Sequence, residues 1–472
     1  MRMHLNGRWE DRQERIEVRN PYDGRTIDTV PKATVEDVDA ALAGAVEGAR
    51  IMRKTSARER SKILRRASEL MAARIADLGH TISTEEGKVL AEGELEASRA
   101  QETMEISAEE SKRLTGEVLP LDAALGGEGK LGFTLRVPCG VVAAITPFNF
   151  PLNLVCHKVG PALAGGNAVI LKPASDTPLS ALRLVEILLE AGLPPLAITC
   201  LTGAGGVLGE RLVTDSRVRK VSFTGSREVG ERIAKSAGLK RVTMELGSNS
   251  PLIVLDDADL EQVAAATVAT GFANAGQTCI STQRLIATRG AYEGLIETLR
   301  PKVAALVAGD PLDARSAVGP MIREADAARV EEWIGEAVGQ GARVVAGGGR
   351  RGALFQPTLV ADVDPRSRIS RDELFGPAVA VLRAADLDEA LALANDSRYG
   401  LSAGIFTRDI NWALRFAREI DSGNIHINWG PQWRADLMPY GGLKESGFGK
   451  EGPRYAILEM TECKTVIVHG LQ

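Results

Sequence analysis

The sequence predicts an α/β protein built around a parallel, Rossmann-like sheet, followed by a second αβ series and a small separate β region. Three observations predict it. Between residues 141 and 245, strand-length apolar runs alternate with helical patterns, an arrangement that calls for crossover helices and parallel strands. From Pro251 a second series opens with Leu252-Ile253-Val254-Leu255 and continues to about Trp429. Two extended pieces, residues 116–140 and Thr465-Val466-Ile467-Val468-His469, belong to neither series. At 472 residues the chain is long enough for two or three domains, on a prior of about 150 residues each.

Taken in order, the first forty residues carry short extended pieces broken by turn signals at Asn6-Gly7 and Asp23-Gly24. Thr34 opens a helix. Val35, Val38, Ala41, Leu42, Ala45 and Val46 follow at helical spacing, with Asp37 three residues on as a capping partner. A second helix, over about 56–78, puts Ile63, Leu64, Ala67, Leu70, Met71 and Ile75 on one face. A third, about 88–113, is acidic and carries Arg99 among Glu92, Glu94, Glu96 and Glu102, the pattern of a surface ion pair worth little. Residues 116–140 alternate around Gly126-Gly127 and read as a projecting hairpin. The parallel sheet takes strands at 141–145, 168–171, 198–202, 220–223 and 241–244, with helices near 152–164, 179–191, 205–214 and 226–237.

With 44% hydrophobic residues, 25% charged residues and a net charge of −5, the chain has no basic surplus for nucleic acid or an anionic membrane surface. No apolar run reaches the ~20 residues that span a bilayer, and Met1-Arg2-Met3-His4-Leu5-Asn6 lacks the apolar core of a signal peptide. A cytoplasmic location is expected. Five cysteines without a C-x-x-C pair argue against a disulfide framework and against a zinc site, so no metal is expected. Cys139, Cys156, Cys200 and Cys463 lie among apolar neighbours and read as packing residues.

Cys279 is different. It stands in Gly271-Phe272-Ala273-Asn274-Ala275-Gly276-Gln277-Thr278-Cys279-Ile280-Ser281-Thr282-Gln283-Arg284, where the chain can turn tightly and aim N–H groups at a reacting oxygen. An inert buried thiol is the alternative. Upstream lie Met244-Glu245-Leu246-Gly247-Ser248-Asn249 and Thr146-Pro147-Phe148-Asn149-Phe150-Pro151. Together with Leu171-Lys172-Pro173, Phe223-Thr224-Gly225-Ser226 and Glu373-Leu374-Phe375-Gly376-Pro377, in order and spacing over nearly the whole chain, these segments resemble the aldehyde dehydrogenase superfamily.

The resemblance implies that family's fold: a Rossmann-like cofactor domain over 1–117 and 141–249, an α/β catalytic domain over 250–446, and a small β oligomerisation region over 118–140 and 447–472. It therefore implies a homodimer or homotetramer. The loop Phe223-Thr224-Gly225-Ser226 would contact the cofactor's pyrophosphate with Ser226 as donor, where otherwise it is a plain N-cap. Thr146, Phe148, Gly205 and Leu246 would join the cofactor contacts, although Gly203-Ala204-Gly205-Gly206 is not a G-x-G-x-x-G fingerprint. Lys172, Pro173, Ala174 and Ser175 would face the adenosine ribose. Many NAD-preferring relatives carry a glutamate where Ser175 stands. Here a 2′-phosphate meets no carboxylate and Lys172 can pair with it, so NADP is expected to be accepted beside NAD. Glu373 and Phe375 match positions that hold the nicotinamide ribose and pack on the nicotinamide ring.

The same resemblance assigns the chemistry. Cys279 would supply the thiolate, Asn149 and the Cys279 N–H an oxyanion site, and Glu245 the general base for the water that hydrolyses a thioester. Relatives that pass the acyl group to coenzyme A replace this glutamate, so its presence favours the free acid. Lys158 would tune the proton path of Glu245. Thr278, Trp433, Arg434, His157 and Arg99 would line the substrate side. The two arginines and the histidine suit a small aldehyde with an anionic tail: phosphonoacetaldehyde, a sulfonated or phosphorylated aldehyde, or a semialdehyde. Arg434 paired with Asp436 on a surface loop is the other reading. His157 stands where succinic semialdehyde dehydrogenases often carry an arginine, which weakens that substrate. Lactaldehyde, acyl transfer to coenzyme A, esterase action and a non-catalytic scaffold stay open.

Overall fold

The structure is a computed structural model and describes residues 1–470. Its larger sheet has eight strands, and the parallel heart runs Ile198–Cys200, Ala168–Lys172, Val141–Ile145, Val218–Thr224 and Arg241–Glu245 in spatial order. Helices cover both faces, so these strands are apolar on both sides. Successive residues point to opposite faces. Val142, Ala144, Val169 and Leu171 pack with helices Ala57–Ala72, Leu90–Glu110, Asn153–Ala164 and Leu179–Glu190. Val141, Ala143, Ile170 and Val221 pack with Val35–Lys54, Gly205–Thr214 and Arg227–Ser236.

The N-terminal hairpin Met3–Leu5 with Arg8–Glu10 adds to one edge through His4 and Cys200. It turns on Asn6 (φ 50°) and Gly7 (φ 81°), the two left-handed positions that a tight hairpin turn needs. Thr34 caps the first helix in a complete capping box with Asp37, as expected. The helix expected over 56–78 is in fact two. Ala57–Ala72 stops, and Ile75–Glu86 starts after Arg74, whose side chain reaches Glu190 at 2.7 Å. The apolar stripe continues in phase across the break, which is why periodicity does not reveal it.

The second sheet has seven strands in the order Arg343–Ala346, Thr358–Ala361, Ala378–Ala384, Arg284–Thr288, Pro251–Val254, Ser402–Phe406 and Asn424–Ile427, all parallel except the first. The projecting hairpin is present as Val118–Leu119 with Leu131–Pro138. Its longer strand pairs along its whole length with the C-terminal strand Thr461–Val468. Residues just after 446 do not go straight to that small sheet: Gly447–Phe448 first pairs with Met244 and Glu245 at the edge of the large sheet. Cys463 is exposed on the C-terminal strand, so it is not a packing residue. Among the described residues no helix is long and apolar enough to cross a membrane, and no group of three or more His, Cys, Asp or Glu is placed to hold a metal ion.

Candidate active site

A cavity of about 1180 Å³ opens over the ends of the parallel strands. Its wall includes every cofactor position expected from the sequence except Pro173: Thr146, Phe148, Lys172, Ala174, Ser175, Gly205, Phe223, Thr224, Gly225, Ser226, Leu246, Glu373 and Phe375. Pro173 is buried beside it, and its carbonyl accepts from Lys172 Nζ at 2.7 Å. Burial pushes the Lys172 ammonium down to about 8. Ser226 caps the helix Arg227–Ser236 and turns that N-terminus to the cavity, a setting that suits a pyrophosphate. Thr146 Oγ1 is buried in the wall with no partner among the described residues. Ser175 Oγ donates to the Gly203 carbonyl at 2.8 Å, and the Phe148 and Phe375 rings meet edge-on at 6.0 Å. Glu373 accepts from the Ser248 N–H at 2.9 Å and is pushed up to about 7 by burial. Volume, wall and helix end together fit a nicotinamide dinucleotide.

At the inner end stands Cys279. The helix Leu260–Gly271 ends just upstream, and Asn274, Ala275 and Gly276 all take left-handed conformations. This turn brings Gln277, Thr278 and Cys279 back toward Asn149. Asn149 Nδ2 donates to the Gln277 carbonyl at 2.8 Å, which leaves its second N–H uncommitted. The Asn149 carbonyl accepts from Lys88 Nζ at 2.7 Å and from Asn274 Nδ2 at 3.0 Å. Lys88 is itself buried against Glu96 at 2.7 Å. Glu96 also accepts from the Leu152 and Asn153 N–H groups, and Glu92 from the Asn274 N–H. The acidic helix and the turn before it therefore tie together the loops that carry Asn149 and Cys279.

Cys279 is half-buried, and its Sγ lies 3.3 Å from the Tyr440 hydroxyl. Burial pushes the thiol up to about 12; Glu373 and Glu245 add to this, while Tyr440 and Arg434 oppose it. Glu245 ends the strand Arg241–Glu245 with both carboxylate oxygens buried and free of partners among the described residues. Burial and the nearby Glu451 hold it well above the usual carboxylate range. Gly441 makes room for it: a Cβ there would stand 2.8 Å from Glu245 Oε1. Lys158 does not bond Glu245. Its Nζ donates to Thr224 Oγ1 at 2.7 Å and to Glu451 Oε1 at 2.6 Å.

The substrate-side residues form a buried chain of charges rather than an open cationic pocket. Arg434 is not paired with Asp436 on the surface. Its side chain is nearly buried, reaching Glu451 Oε2 at 3.3 Å and His157 Nδ1 at 3.0 Å, with its guanidinium 4.0 Å over the Tyr440 ring. Asp436 instead receives Arg99 at 2.9 Å, His157 Nε2 at 2.7 Å and Asn153 Nδ2 at 3.1 Å. Arg99 is therefore not a surface pair with its helix neighbours. Because His157 Nδ1 accepts from Arg434, its proton sits on Nε2 and is donated to Asp436. Burial pushes His157 down to about 4, so it is neutral at ordinary pH and adds no charge. Arg99, Lys158 and Arg434 are thus interleaved with the carboxylates Asp436, Glu451 and Glu245. Thr278 is buried with its hydroxyl unpartnered among the described residues. Trp433 is 55% exposed and its ring meets His426 edge-on.

Tyr440, Glu451 and Lys88 are site residues that the motifs did not single out. Tyr440 immediately precedes the Gly441-Gly442 pair, which is its one sequence signal.

The profile of the aldehyde dehydrogenase family matches residues 9–466. The chain is 46% identical over 467 residues to the 3-sulfolactaldehyde dehydrogenase of Priestia aryabhattai, covering 99% of this chain and 98% of that one. It is 43% identical over 456 residues to aspartate-semialdehyde dehydrogenase 1 of Pseudomonas canavaninivorans, covering 97% of each. Among solved structures it matches an NADP dependent enzyme of E. coli with a TM-score of 0.96 at 39% identity, over 99% of this chain and 98% of the other. The fold, the cavity and these likenesses agree, and the chain belongs to the aldehyde dehydrogenase family of NAD(P)-dependent, aldehyde-oxidising enzymes.

Proposed function

We propose that this enzyme oxidises a small aldehyde carrying an anionic tail to the free carboxylic acid, and that a sulfonated aldehyde such as 3-sulfolactaldehyde is the first candidate. The observation that carries this reading is the Arg434 guanidinium, which lies over the Tyr440 ring whose hydroxyl meets Cys279. Both relatives described above are named for aldehydes that bear an acidic group. Phosphonoacetaldehyde offers similar chemistry and belongs in the same panel. Lactaldehyde is the informative neutral comparison, because it is the same three-carbon skeleton without the sulfonate. We expect wild type to prefer 3-sulfolactaldehyde by kcat/KM, and Arg434→Leu to lose about 10²-fold on it, the scale for removing one partner of a buried charge contact. Equal turnover of lactaldehyde, unaffected by the substitution, would leave a general short-chain aldehyde dehydrogenase.

Each residue then has a task. The Cys279 sulfur attacks the aldehyde carbon, the C=O π pair moves to oxygen, and that charge meets the free Asn149 N–H and the Cys279 N–H. The bound nicotinamide supplies the hydride acceptor. Glu245, uncommitted and adjacent, takes a proton from water as the water attacks the Cys279 thioester; the C–S bond breaks and the acid leaves. Retention of this carboxylate supports hydrolysis over transfer to coenzyme A. The unpaired outer edge of Thr461–Val468, with Ile467 and Val468 exposed, supports assembly through partner strands as a homodimer or homotetramer.

NADP is proposed to be accepted beside NAD, with Lys172 as the partner of a 2′-phosphate. Lys172→Met is expected to lower kcat/KM for NADP about tenfold or more while leaving NAD nearly unchanged, since hydrogen bonds between charged groups are of that strength. The ammonium is protonated below its pKa of about 8 and lost above it. The KM for NADP should therefore rise above that pH while the KM for NAD does not follow. Parallel changes for both cofactors would remove Lys172 from phosphate recognition.

A further inference from the structure

Among the described residues, the Tyr440 phenol makes the one side-chain hydrogen bond to the Cys279 sulfur, at 3.3 Å. Its position is strongly constrained. The Tyr440 backbone exchanges hydrogen bonds with the Glu451 backbone at 3.1 and 2.7 Å, while the Glu451 side chain holds Arg434 and Lys158. Arg434 in turn lies over the Tyr440 ring at 4.0 Å, and Ile280 and Leu401 pack with that ring in a small buried cluster. A phenol so enclosed, its ionisation disfavoured first by burial, keeps its proton. While Cys279 is a thiol, either group can donate. Once the sulfur is ionised it has no hydrogen left, and the phenol still does. The contact then becomes a charge-assisted bond, stronger in the reactive state than in the resting one.

We propose that Tyr440 is a further catalytic residue, whose hydroxyl donates to the Cys279 sulfur and stabilises the thiolate that attacks the aldehyde. From other elements Glu373, Glu245 and Arg434 also face this sulfur, the carboxylates opposing its ionisation and the guanidinium favouring it. Tyr440 is thus the one neutral donor in the group.

The proposal rests on the reading of Cys279 as nucleophile, and its test uses the enzyme without cofactor or aldehyde. Iodoacetamide alkylates a thiolate: an S–C bond forms and iodide leaves. The rate constant at Cys279 is followed by peptide mass spectrometry across the neutral to alkaline range, with exposed Cys463 as internal reference and buried Cys156 and Cys200 as reporters of unfolding. In Tyr440→Phe the Cys279 rate at neutral pH should fall about tenfold, and its rise with pH should move up by about one unit. Site-specific 3-fluorotyrosine at 440, a stronger donor of nearly the same shape, should move both the other way and tests the idea even where the phenylalanine variant loosens the fold. Unchanged or faster alkylation in Tyr440→Phe, or no response to fluorination, would make Tyr440 a packing residue. Failure of the nucleophile reading looks different: Cys279 would be alkylated without loss of turnover.

Discussion

Cys279→Ala should abolish aldehyde oxidation, with a loss on the order of 10⁴-fold or more in kcat, the scale seen when a covalent nucleophile is removed from an otherwise intact site. The fold should survive, because Cys279 is only half-buried and belongs to the margin of a small apolar cluster with Ile280, Leu401 and Tyr440. Cofactor binding should survive as well, since the dinucleotide wall is made mainly by residues of the large sheet's loops and by Glu373 and Phe375. Trp333 lines the same cavity, so quenching of tryptophan fluorescence by NADP is a direct check. A variant that binds NADP normally yet turns over no aldehyde separates an enzyme from a scaffold. Substantial residual oxidation would move the nucleophile elsewhere.

Glu245→Gln should slow hydrolysis of the acyl-enzyme on the order of 10³-fold, within the usual range for losing a general base. The first turnover should be affected far less, so the kinetics should show a burst of reduced cofactor equal to the active sites, then a slow steady state. The pH dependence has a definite sign. Burial and Glu451 raise the Glu245 carboxyl well above its ordinary range. Only the ionised form can accept a proton, so kcat in wild type should climb as pH rises through that raised pKa. The climb should be absent in Glu245→Gln. A variant that loses the burst together with the steady state would assign Glu245 to thiol activation instead.

The legibility of this chain differs from element to element. The strand at 141–145 agrees residue for residue with its expectation, because a run buried on both faces is continuous and sharply bounded. The break between Ala72 and Ile75 is invisible because the apolar stripe keeps its phase through it. Cys279, Glu245 and Asn149 stand in short motifs whose residue types already suggest chemistry; Cys279 and Asn149 line one cavity, and the Glu245 carboxylate acts on the thiol. Lys88, Glu92 and Glu96 carry no sequence signal of their role because their partners are the backbone of Asn149, Leu152, Asn153 and Asn274, far along the chain. The charge on the substrate side is the least legible from residue types. The residue types Arg99, His157 and Arg434 suggest three positive groups, but protonation depends on burial and on Asp436 and Glu451, and no spacing rule shows which carboxylate meets which base. Tyr440 escapes notice for a similar reason, since its hydroxyl gains meaning only from the sulfur opposite.

The central claim is that oxidation proceeds through an acyl group held on Cys279 and released by Glu245. Its most direct test is the mass of Glu245→Gln quenched after mixing with NADP and 3-sulfolactaldehyde. The account predicts one acyl adduct per chain, mapped to the peptide that contains Cys279 and absent when the cofactor is omitted. Full burst formation of reduced cofactor with no adduct on Cys279, or an adduct on another residue, would contradict it.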